Sequence, residues 1–379
     1  MQPAYFDHNS TTALKKEVLE AMLPFMTNQH GNATSRHSFG RTARAAVEHA
    51  REQVANAVGA YANQIVFTAS GTEANNFAVR GICTHLDSGQ ILTSAIEHPC
   101  VSRPAAAMLG YTAKNIKVDS NCNINLAHLQ KRLLAPTHLV SAMLVNNETG
   151  AIQDIAKVAE IARENKAFVH TDAVQALGKI PVDFFALGVH AMTVSSHKIG
   201  GPLGAGALVL DKRIDIQPLL YGGGQERGLR SGTENVAAIV GFGAACDLAV
   251  KNLSAFDLHT ANLRDYLEIG LAKLNAVIFG HHGLRVANTS FFAFKNIEGE
   301  TLVTALDNAG FAVASGSACS SDSTEPSHVL LAMGVDEDLA RGAIRVSFGM
   351  SNSMEQVQQF LTALEKTLNR LRNLTAIAA

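Results

Sequence analysis

The chain has 379 residues, 47% of them apolar, and its formal net charge at neutral pH is −2. This length and composition predict a globular protein with a sizeable core, and the balanced charge gives no sign of a nucleic-acid partner or of a membrane surface. The sequence contains no run of about 18 uncharged apolar residues that could cross a membrane, and its N-terminus lacks the basic and apolar regions of a secretion signal.

The cysteines are scattered and form no Cys-x-x-Cys pair, which argues against a structural zinc site and a disulfide framework. This usage fits a reducing compartment, so we expect a cytoplasmic enzyme. The cysteines are Cys83, Cys100, Cys122, Cys246 and Cys319.

From about residue 40 to 250, short apolar runs alternate with Ala-rich helical patterns. The predicted buried strands are QIVFTAS, QILTSAI, HLVSAMLV, AFVHTDA, AMTVSS and GALVLD. Apolar runs joined by helical crossovers are typical of a mainly parallel sheet with helices on both faces. Only a Gly-rich turn separates the last two runs, so we expect them to pair antiparallel. We assign residues 12–250 to a large α/β domain.

Beyond residue 240 the pattern changes. Residues 241–274 have the apolar spacing of a long helix that could connect two domains. After them come the strand TSFFAF, the helix GETLVTALDNAG, the strands FAVAS and AIRVSFG, and a final helix from MEQVQQF onwards. We assign residues 1–11 and 251–379 to a smaller α+β domain.

Open α/β sheets bind ligands beyond the carboxyl ends of their strands, so the polar residues there are candidates for function. In VFTASGTEANN, Ser70-x-x-Glu73 fits a helix capping box, while the free N–H groups at the helix start could instead bind a phosphate. In TSAIEHPC, His98 is either a solvated turn residue or a functional imidazole. Asn147 in LVNNETG is either a turn residue or a ligand.

The next strand ends carry a carboxylate and a lysine. Asp172 in HTDAVQALG is either an N-cap or a carboxylate that keeps a ring nitrogen protonated, and Gln175 follows one turn later. Lys198 in VSSHKIGGPLGA is either a surface residue or an amine that forms a Schiff base with an aldehyde. Ser195 and His197 offer hydrogen-bond donors beside it. Together these residue types describe a pocket for pyridoxal phosphate.

Two later segments complete the set of candidates. In GGGQERGLRSGTEN, Ser231-x-x-Glu234 is a second possible capping box, or the segment could bring Thr233 to a phosphate, even on a neighbouring subunit. In VASGSACSSDSTEPSH, Cys319 lies among small polar residues, which favours a mobile, reactive thiol over a buried one. In AIRVSFG, Arg345 lies on the opposite face from the apolar residues, where it could bind a carboxylate or lie in solvent.

Motifs along nearly the whole chain resemble those of the cysteine desulfurases, in the class V aminotransferase group of fold-type I pyridoxal phosphate enzymes. The most specific is SGSAC in a long loop, which resembles the subgroup whose loop cysteine carries a persulfide. The other motifs are YFDHNSTT, GNATSRHSFG, SGTEANN, EHPCV, NNETGAIQDI, HTDAVQALGK, SSHKIGGPLGAGAL, GGGQERGLRSGTEN, EPSHVLLAMG and IRVSFG.

The resemblance implies a seven-stranded type of sheet, pyridoxal 5'-phosphate as cofactor, and a role for each candidate residue. Lys198 would form the Schiff base, Asp172 would pair with the ring nitrogen, and Gln175 would bind the ring hydroxyl. His98 would stack on the ring and assist proton transfer. The remaining cofactor ligands would be Gly71, Thr72, Asn147, Ser195, His197 and, from the partner subunit, Thr233.

The resemblance also implies the reaction. Asn147 and Arg345 would bind the carboxylate of L-cysteine, and Cys319 would take its sulfur as a persulfide while L-alanine leaves. A homodimer would pass that sulfur to an acceptor or scaffold protein, for iron–sulfur cluster assembly. No resident metal is expected, although Cys319 could contact an iron–sulfur cluster transiently. The alternatives are a class V aminotransferase, a selenocysteine lyase, or a catalytically silent sulfur-carrying scaffold.

Overall fold

The computed structural model describes the backbone of residues 3–316 and 325–378, and the side chains as far as residue 373. In chain order the strands are β1 (Ala4–Tyr5), β2 (Ile65–Thr68), β3 (Gly89–Ser94), β4 (Tyr111–Ile116), β5 (Thr137–Ser141), β6 (Phe168–Asp172), β7 (Ala191–Ser195), β8 (Gly206–Leu210), β9 (Val277–Ile278), β10 (Thr289–Ala293), β11 (Phe311–Ala312), β12 (Ala314–Ser315) and β13 (Ile344–Ser347).

The helices are α1 (Lys16–Thr27), α2 (Ser38–Ala57), α3 (Gly71–Cys83), α4 (Pro99–Ala106), α5 (Leu126–Arg132), α6 (Ile155–Glu164), α7 (Phe184–Leu187), α8 (Val236–Lys251), α9 (Leu253–Lys273), α10 (Gly299–Asp307), α11 (His328–Ala332), α12 (Glu337–Arg341) and α13 (Met354–Ala378). Short 3-10 turns cover Ala62–Gln64, Ser196–Lys198 and Glu226–Gly228.

The larger sheet has seven strands in the order β2-β8-β7-β6-β5-β3-β4. Strands β3 to β7 pair in parallel, whereas β8 runs antiparallel to both of its neighbours. The predicted α/β class, with a mainly parallel sheet and an antiparallel last pair, is confirmed. Edge strand β4 was not predicted, because its residues alternate between partly buried and exposed and give no continuous apolar run.

Both faces of this sheet are covered. Consecutive residues of β2 show this, since Ile65 and Val66 are each 0% exposed but pack in different apolar clusters. Neighbouring residues of a strand point to opposite faces, so helices must shield the sheet on both sides. This burial explains why its central strands appear in the sequence as continuous apolar runs.

A second, antiparallel sheet has the order β12-β13-β10-β9, and the N-terminal strand β1 pairs in parallel with β11. The segment predicted as one strand, FAVAS, is therefore divided between β11 and β12. A separate aromatic cluster packs against this sheet, and Phe6 joins it from the N-terminus. The domain boundaries at residues 12 and 250 stay a prediction.

The long helix predicted over residues 241–274 is wrong. Helices α8 and α9 replace it and meet at Asn252 with a bend of 69°. The amide of Asn252 donates a 2.8 Å hydrogen bond to the carbonyl of Leu248, a local bond that competes with continuation of the helix. No single described helix is long and apolar enough to cross a membrane; only this bent pair, taken together, meets those limits by length and composition.

Candidate active site

A cavity of about 330 Å³ lies where the carboxyl ends of β2, β3, β5, β6 and β7 meet. Most of the predicted site residues line it: Gly71, Thr72, His98, Asn147, Asp172, Gln175, Ser195, His197, Lys198 and Arg345. Thr233 is exposed and does not line this cavity. Cys319 lies outside the described residues.

Helix α3 begins at the cavity wall. The hydroxyl of Ser70 accepts the amide of Glu73 at 3.1 Å, and the Glu73 carboxylate accepts the amide of Ala69 at 3.1 Å. The predicted cap is therefore present, and it does not compete with an anion site because the first amides of a helix have no intrahelical partner. A Cβ at Gly71 would lie 3.0 Å from the Val174 side chain, so the close approach of helix and loop favours glycine.

Asp172 ends β6 as a buried carboxylate with two donors. Its Oδ1 accepts the amide of Val174 at 2.9 Å, and its Oδ2 accepts the Asn75 side chain at 2.6 Å. Burial raises the pKa of Asp172, and these two hydrogen bonds, His98 and Lys198 oppose that rise. The carboxylate is thus a preformed acceptor in a largely water-excluded position.

His98 is the N-cap residue of α4 and not a solvated turn residue. Its Nδ1 accepts the amide of Cys100 at 3.2 Å and lies 2.8 Å from the Cys100 sulfur. Burial lowers the pKa of His98, so a neutral ring is favoured. Because Nδ1 accepts a backbone N–H, we infer that the ring proton is on Nε2.

Lys198 lies in a 3-10 turn that follows β7 directly. Its Nζ donates to the backbone carbonyls of Asn9 at 2.6 Å and Ser10 at 2.5 Å. Beyond it the chain must reverse into β8, and Gly200 adopts a φ of +82° there. This explains the SSHKIGG pattern: the strand end and the glycine turn place the amine at the cavity instead of in solvent.

Arg345, on β13, brings the second sheet to the same cavity. It donates to the backbone carbonyl of Asn147 at 2.9 Å, to Asp7 at 2.7 Å and to the Ser10 hydroxyl at 2.8 Å. Its Nε is buried without a hydrogen-bond partner. The guanidinium is therefore fixed in place, and its Nε–H is still available to a ligand.

Sequence reasoning missed several residues that line the cavity. The N-terminal residues Asn9 and Ser10 carry no pattern that would place them beside Lys198. Asn75 was detectable, because it follows Gly71 by one helical turn and so shares its face of α3. Cys100 was also detectable from its position two residues after His98.

The segment 222–235 differs from its prediction. Helix α8 is capped by Asn235, whose side chain accepts the amide of Ala238, so the predicted capping box at Ser231 and Glu234 is wrong. The Ser231 hydroxyl accepts the amide of Gly224 at 3.3 Å instead. A sequence pattern of this kind cannot tell which of two nearby polar residues caps the helix.

A comparison with protein families matches residues 4–360 to the family described as aminotransferase class-V. The chain is 41% identical over 378 residues to the cysteine desulfurase IscS of Methanosarcina thermophila, covering 98% of this chain and 94% of that protein. Among solved structures, a NifS-like protein has a TM-score of 0.92 and 39% identity, covering 97% of this chain and 100% of the other. An apo cysteine desulfurase from Thermococcus onnurineus NA1 has a TM-score of 0.86 and 26% identity, covering 96% and 94% of the two chains.

Proposed function

The chain belongs to the class V aminotransferase family as a cysteine desulfurase, and from that premise we propose which of its residues carry the reaction. The enzyme depends on pyridoxal phosphate, takes sulfur from L-cysteine and passes it to an acceptor protein. The predicted family, fold, activity and cofactor are confirmed. The role of each residue is the proposal that follows.

The polar groups that line the cavity fit the cofactor. The hydroxyl of Ser195 is buried without a hydrogen-bond partner, and it would lie 3.8 Å from a Cβ placed on Gly71 at the start of α3. An unsatisfied buried donor beside free helix amides suits a phosphate. Asp172 and Lys198 line the same cavity, where the carboxylate suits a ring nitrogen and the amine suits an aldehyde.

These residues would hold the cofactor at both ends. Gly71, Thr72, Ser195 and His197 would bind its phosphate, with Thr233 contributed by the partner subunit of a homodimer. Asp172 would keep its ring nitrogen protonated, because a buried carboxylate is a strong acceptor for that N–H. When bound, the cofactor accepts the electron pair released at the substrate Cα.

Gln175, Asn147 and His98 would complete the ring site. Gln175 would donate to the ring hydroxyl and Asn147 would contact the ring edge. The neutral imidazole of His98 would lie on the ring face and assist proton transfer through Nε2.

Lys198 would act first as the covalent anchor and then as a base. Two backbone carbonyls hold its amine at the cavity, so the freed side chain would stay beside the substrate. Removal of the Cα proton by this amine is general base catalysis at a fixed position.

Arg345 and Asn147 would bind the substrate carboxylate. A bidentate guanidinium fixes a carboxylate in both position and orientation, and Arg345 is held for this by Asp7 and Asn147. This contact would align the substrate sulfur with the attacking thiol.

Cys319 would be that thiol, although it lies outside the described residues. The described residues on either side of it lie close together, because a Cβ on Gly316 would be 3.3 Å from the Cβ of Ser327, whose hydroxyl donates to Glu148, the neighbour of Asn147 in sequence.

In the transfer itself, the Cys319 thiolate attacks the sulfur of bound L-cysteine. The S–S bond forms as the C–S bond breaks, the carbon fragment takes up a proton, and alanine leaves. The persulfide then goes to an acceptor, which we propose is a scaffold for iron–sulfur assembly in the cytoplasm. The relative's name as a cysteine desulfurase supports the transfer of sulfur, and the four free cysteines among the described residues fit that compartment.

The convergence of Lys198, Asp172 and Arg345 on one cavity carries this proposal. The test supplies purified protein with L-cysteine and a thiol reductant, and measures alanine and sulfide without any keto acid. Equal amounts of both products support the assignment. Turnover that requires a keto acid would indicate an aminotransferase, and turnover of selenocysteine alone would indicate a selenocysteine lyase.

A further inference from the structure

Lys179 is a buried lysine that none of the roles above uses. It is 5% exposed, and its Nζ donates to Oδ1 of Asn9 at 2.6 Å and to Oε1 of Gln175 at 2.5 Å. Lysine is rarely enclosed this completely unless paired with a carboxylate, yet both partners here are neutral amides. Burial, and then the nearby charges of Lys198 and Arg345, lower the pKa of Lys179. Burial of an amine without a carboxylate partner costs free energy of folding, so we expect Lys179 to have a function.

The neighbouring contacts fix which way both amides point. The Nε2 of Gln175 donates to the backbone carbonyl of Asn9 at 2.8 Å, and Nδ2 of Asn9 donates to the carbonyl of Asn147 at 3.2 Å. Carbonyl oxygens only accept, so each side-chain nitrogen faces a carbonyl and each side-chain oxygen faces the Lys179 amine. Without that amine, the Asn9 amide is still oriented by Asn288, which donates to its Oδ1 at 3.1 Å. Oε1 of Gln175, in contrast, loses the donor that Lys179 supplies, and the bond from Nε2 to the Asn9 carbonyl is left to orient that amide.

We propose that Lys179 is a positioning residue of the cofactor pocket, whose amine holds the oxygen of Gln175 so that the amide nitrogen of Gln175 faces the cavity as a fixed donor. This rests on the proposed function, in which Gln175 meets the ring oxygen of the cofactor. An amide turned the other way would present an oxygen and repel that atom. Through Asn9, the same amine also steadies the backbone carbonyl that holds Lys198.

A pair of variants of equal side-chain length isolates the donor. Lys179→Met removes it, whereas Lys179→Gln keeps an N–H donor at nearly the same reach. We expect the Met variant to retain pyridoxal phosphate about tenfold less tightly, the loss of about one hydrogen bond. The absorbance band of its bound cofactor should also titrate at a higher pH. The Gln variant should be close to the wild type in its affinity for the cofactor and in the pH at which this band titrates.

Thermal midpoints of the cofactor-free proteins separate positioning from folding. If Lys179→Met does not fold, the comparison of Lys179→Gln with wild type still tests the proposal. A tenfold loss of cofactor affinity in the Gln variant would overturn it. Lys15→Met is the control, since Lys15 lines the adjoining cavity of about 250 Å³ with Lys179 but makes no hydrogen bond to either amide. Lys179→Gln also removes the charge, so a loss confined to Lys179→Met reports the missing donor and not the missing charge.

A double-variant cycle identifies the route through Gln175. If Lys179 acts through that amide, Lys179→Met should add nothing to Gln175→Leu in cofactor retention. A further tenfold loss in the double variant would show an independent effect and overturn the inference. A wild-type protein that binds no cofactor would overturn the proposed function instead, so the two failures are distinguishable.

Discussion

The side-chain nitrogen of Asn75 lies 2.6 Å from Oδ2 of Asp172, and both side chains are buried. This contact joins the second turn of α3 to the end of β6. It gives the carboxylate a second donor besides the amide of Val174. Asn75 therefore links the proposed phosphate site at the start of α3 to Asp172, because it holds the carboxylate that would face the cofactor ring.

Asn75→Ala should weaken the ring contact of Asp172. Losing one hydrogen bond to a buried carboxylate costs about 1.5–3 kcal/mol, so we expect roughly a 10- to 100-fold loss in cofactor affinity, with the pKa of Asp172 raised further. Equilibrium dialysis of the cofactor measures this. Asn76→Ala is the matched control on the same helix, since its side chain contacts the backbone of Thr72 and not Asp172. Equal losses in both variants would contradict the assignment.

Lys198→Ala should leave no covalent cofactor on the protein. Borohydride reduction of the loaded wild type should add the cofactor to the peptide that contains Lys198, and mass spectrometry locates it. The variant should lose this adduct and at least a thousandfold of its activity, because anchor and base are lost together. Lys157→Ala, on the exposed face of α6, should keep both. An adduct at another lysine would refute the role of Lys198.

The positions of Asp172 and Lys198 could be predicted because parallel strands end at one edge of the sheet. A polar residue that follows a buried apolar run therefore lies at the same edge of the sheet as the other such residues, whatever their separation in sequence. Six apolar runs were enough to indicate that edge.

The contacts of Asn9 could not be predicted in this way. Asn9 reaches Lys198 because β1 pairs with β11 and carries the N-terminal segment across the cavity, a long-range pairing between two-residue strands. Strands this short have no periodicity to detect. The break at Asn252 was hidden for a different reason, since apolar spacing continues through a residue whose side chain bonds to the preceding turn.

Glu97 should make the stability of the protein fall as the pH rises. Burial, with a smaller effect of Asp172, raises the pKa of this carboxyl to about 8, while in an unfolded chain it is about 4.3. Between those values the native state keeps a proton that the unfolded state has released. The free energy of unfolding therefore decreases with rising pH, by up to about 1.4 kcal/mol per pH unit.

Glu97→Gln removes this titration and keeps the acceptor for the amide of Met143. We expect its thermal midpoint, relative to wild type, to rise between pH 5 and pH 7.5. Glu164→Gln, an exposed residue at the end of α6, should show no such trend. A constant difference between Glu97→Gln and wild type across this range would show that Glu97 is already ionised in the native state.

Cys319→Ala should abolish release of alanine and sulfide from L-cysteine while cofactor binding is retained. Alanine forms only when a nucleophile takes the sulfur and the electron pair of the C–S bond stays on carbon, and Lys198, Asp172 and Arg345 offer no group that can hold the sulfur. Cys83→Ala is the matched control, because burial raises the pKa of Cys83 to about 12 and leaves little thiolate near neutral pH. Alanine is measured by chromatography, and the persulfide by mass spectrometry of the peptide that contains position 319. Undiminished alanine release from the Cys319 variant would show that another group accepts the sulfur, and it would contradict the proposed transfer.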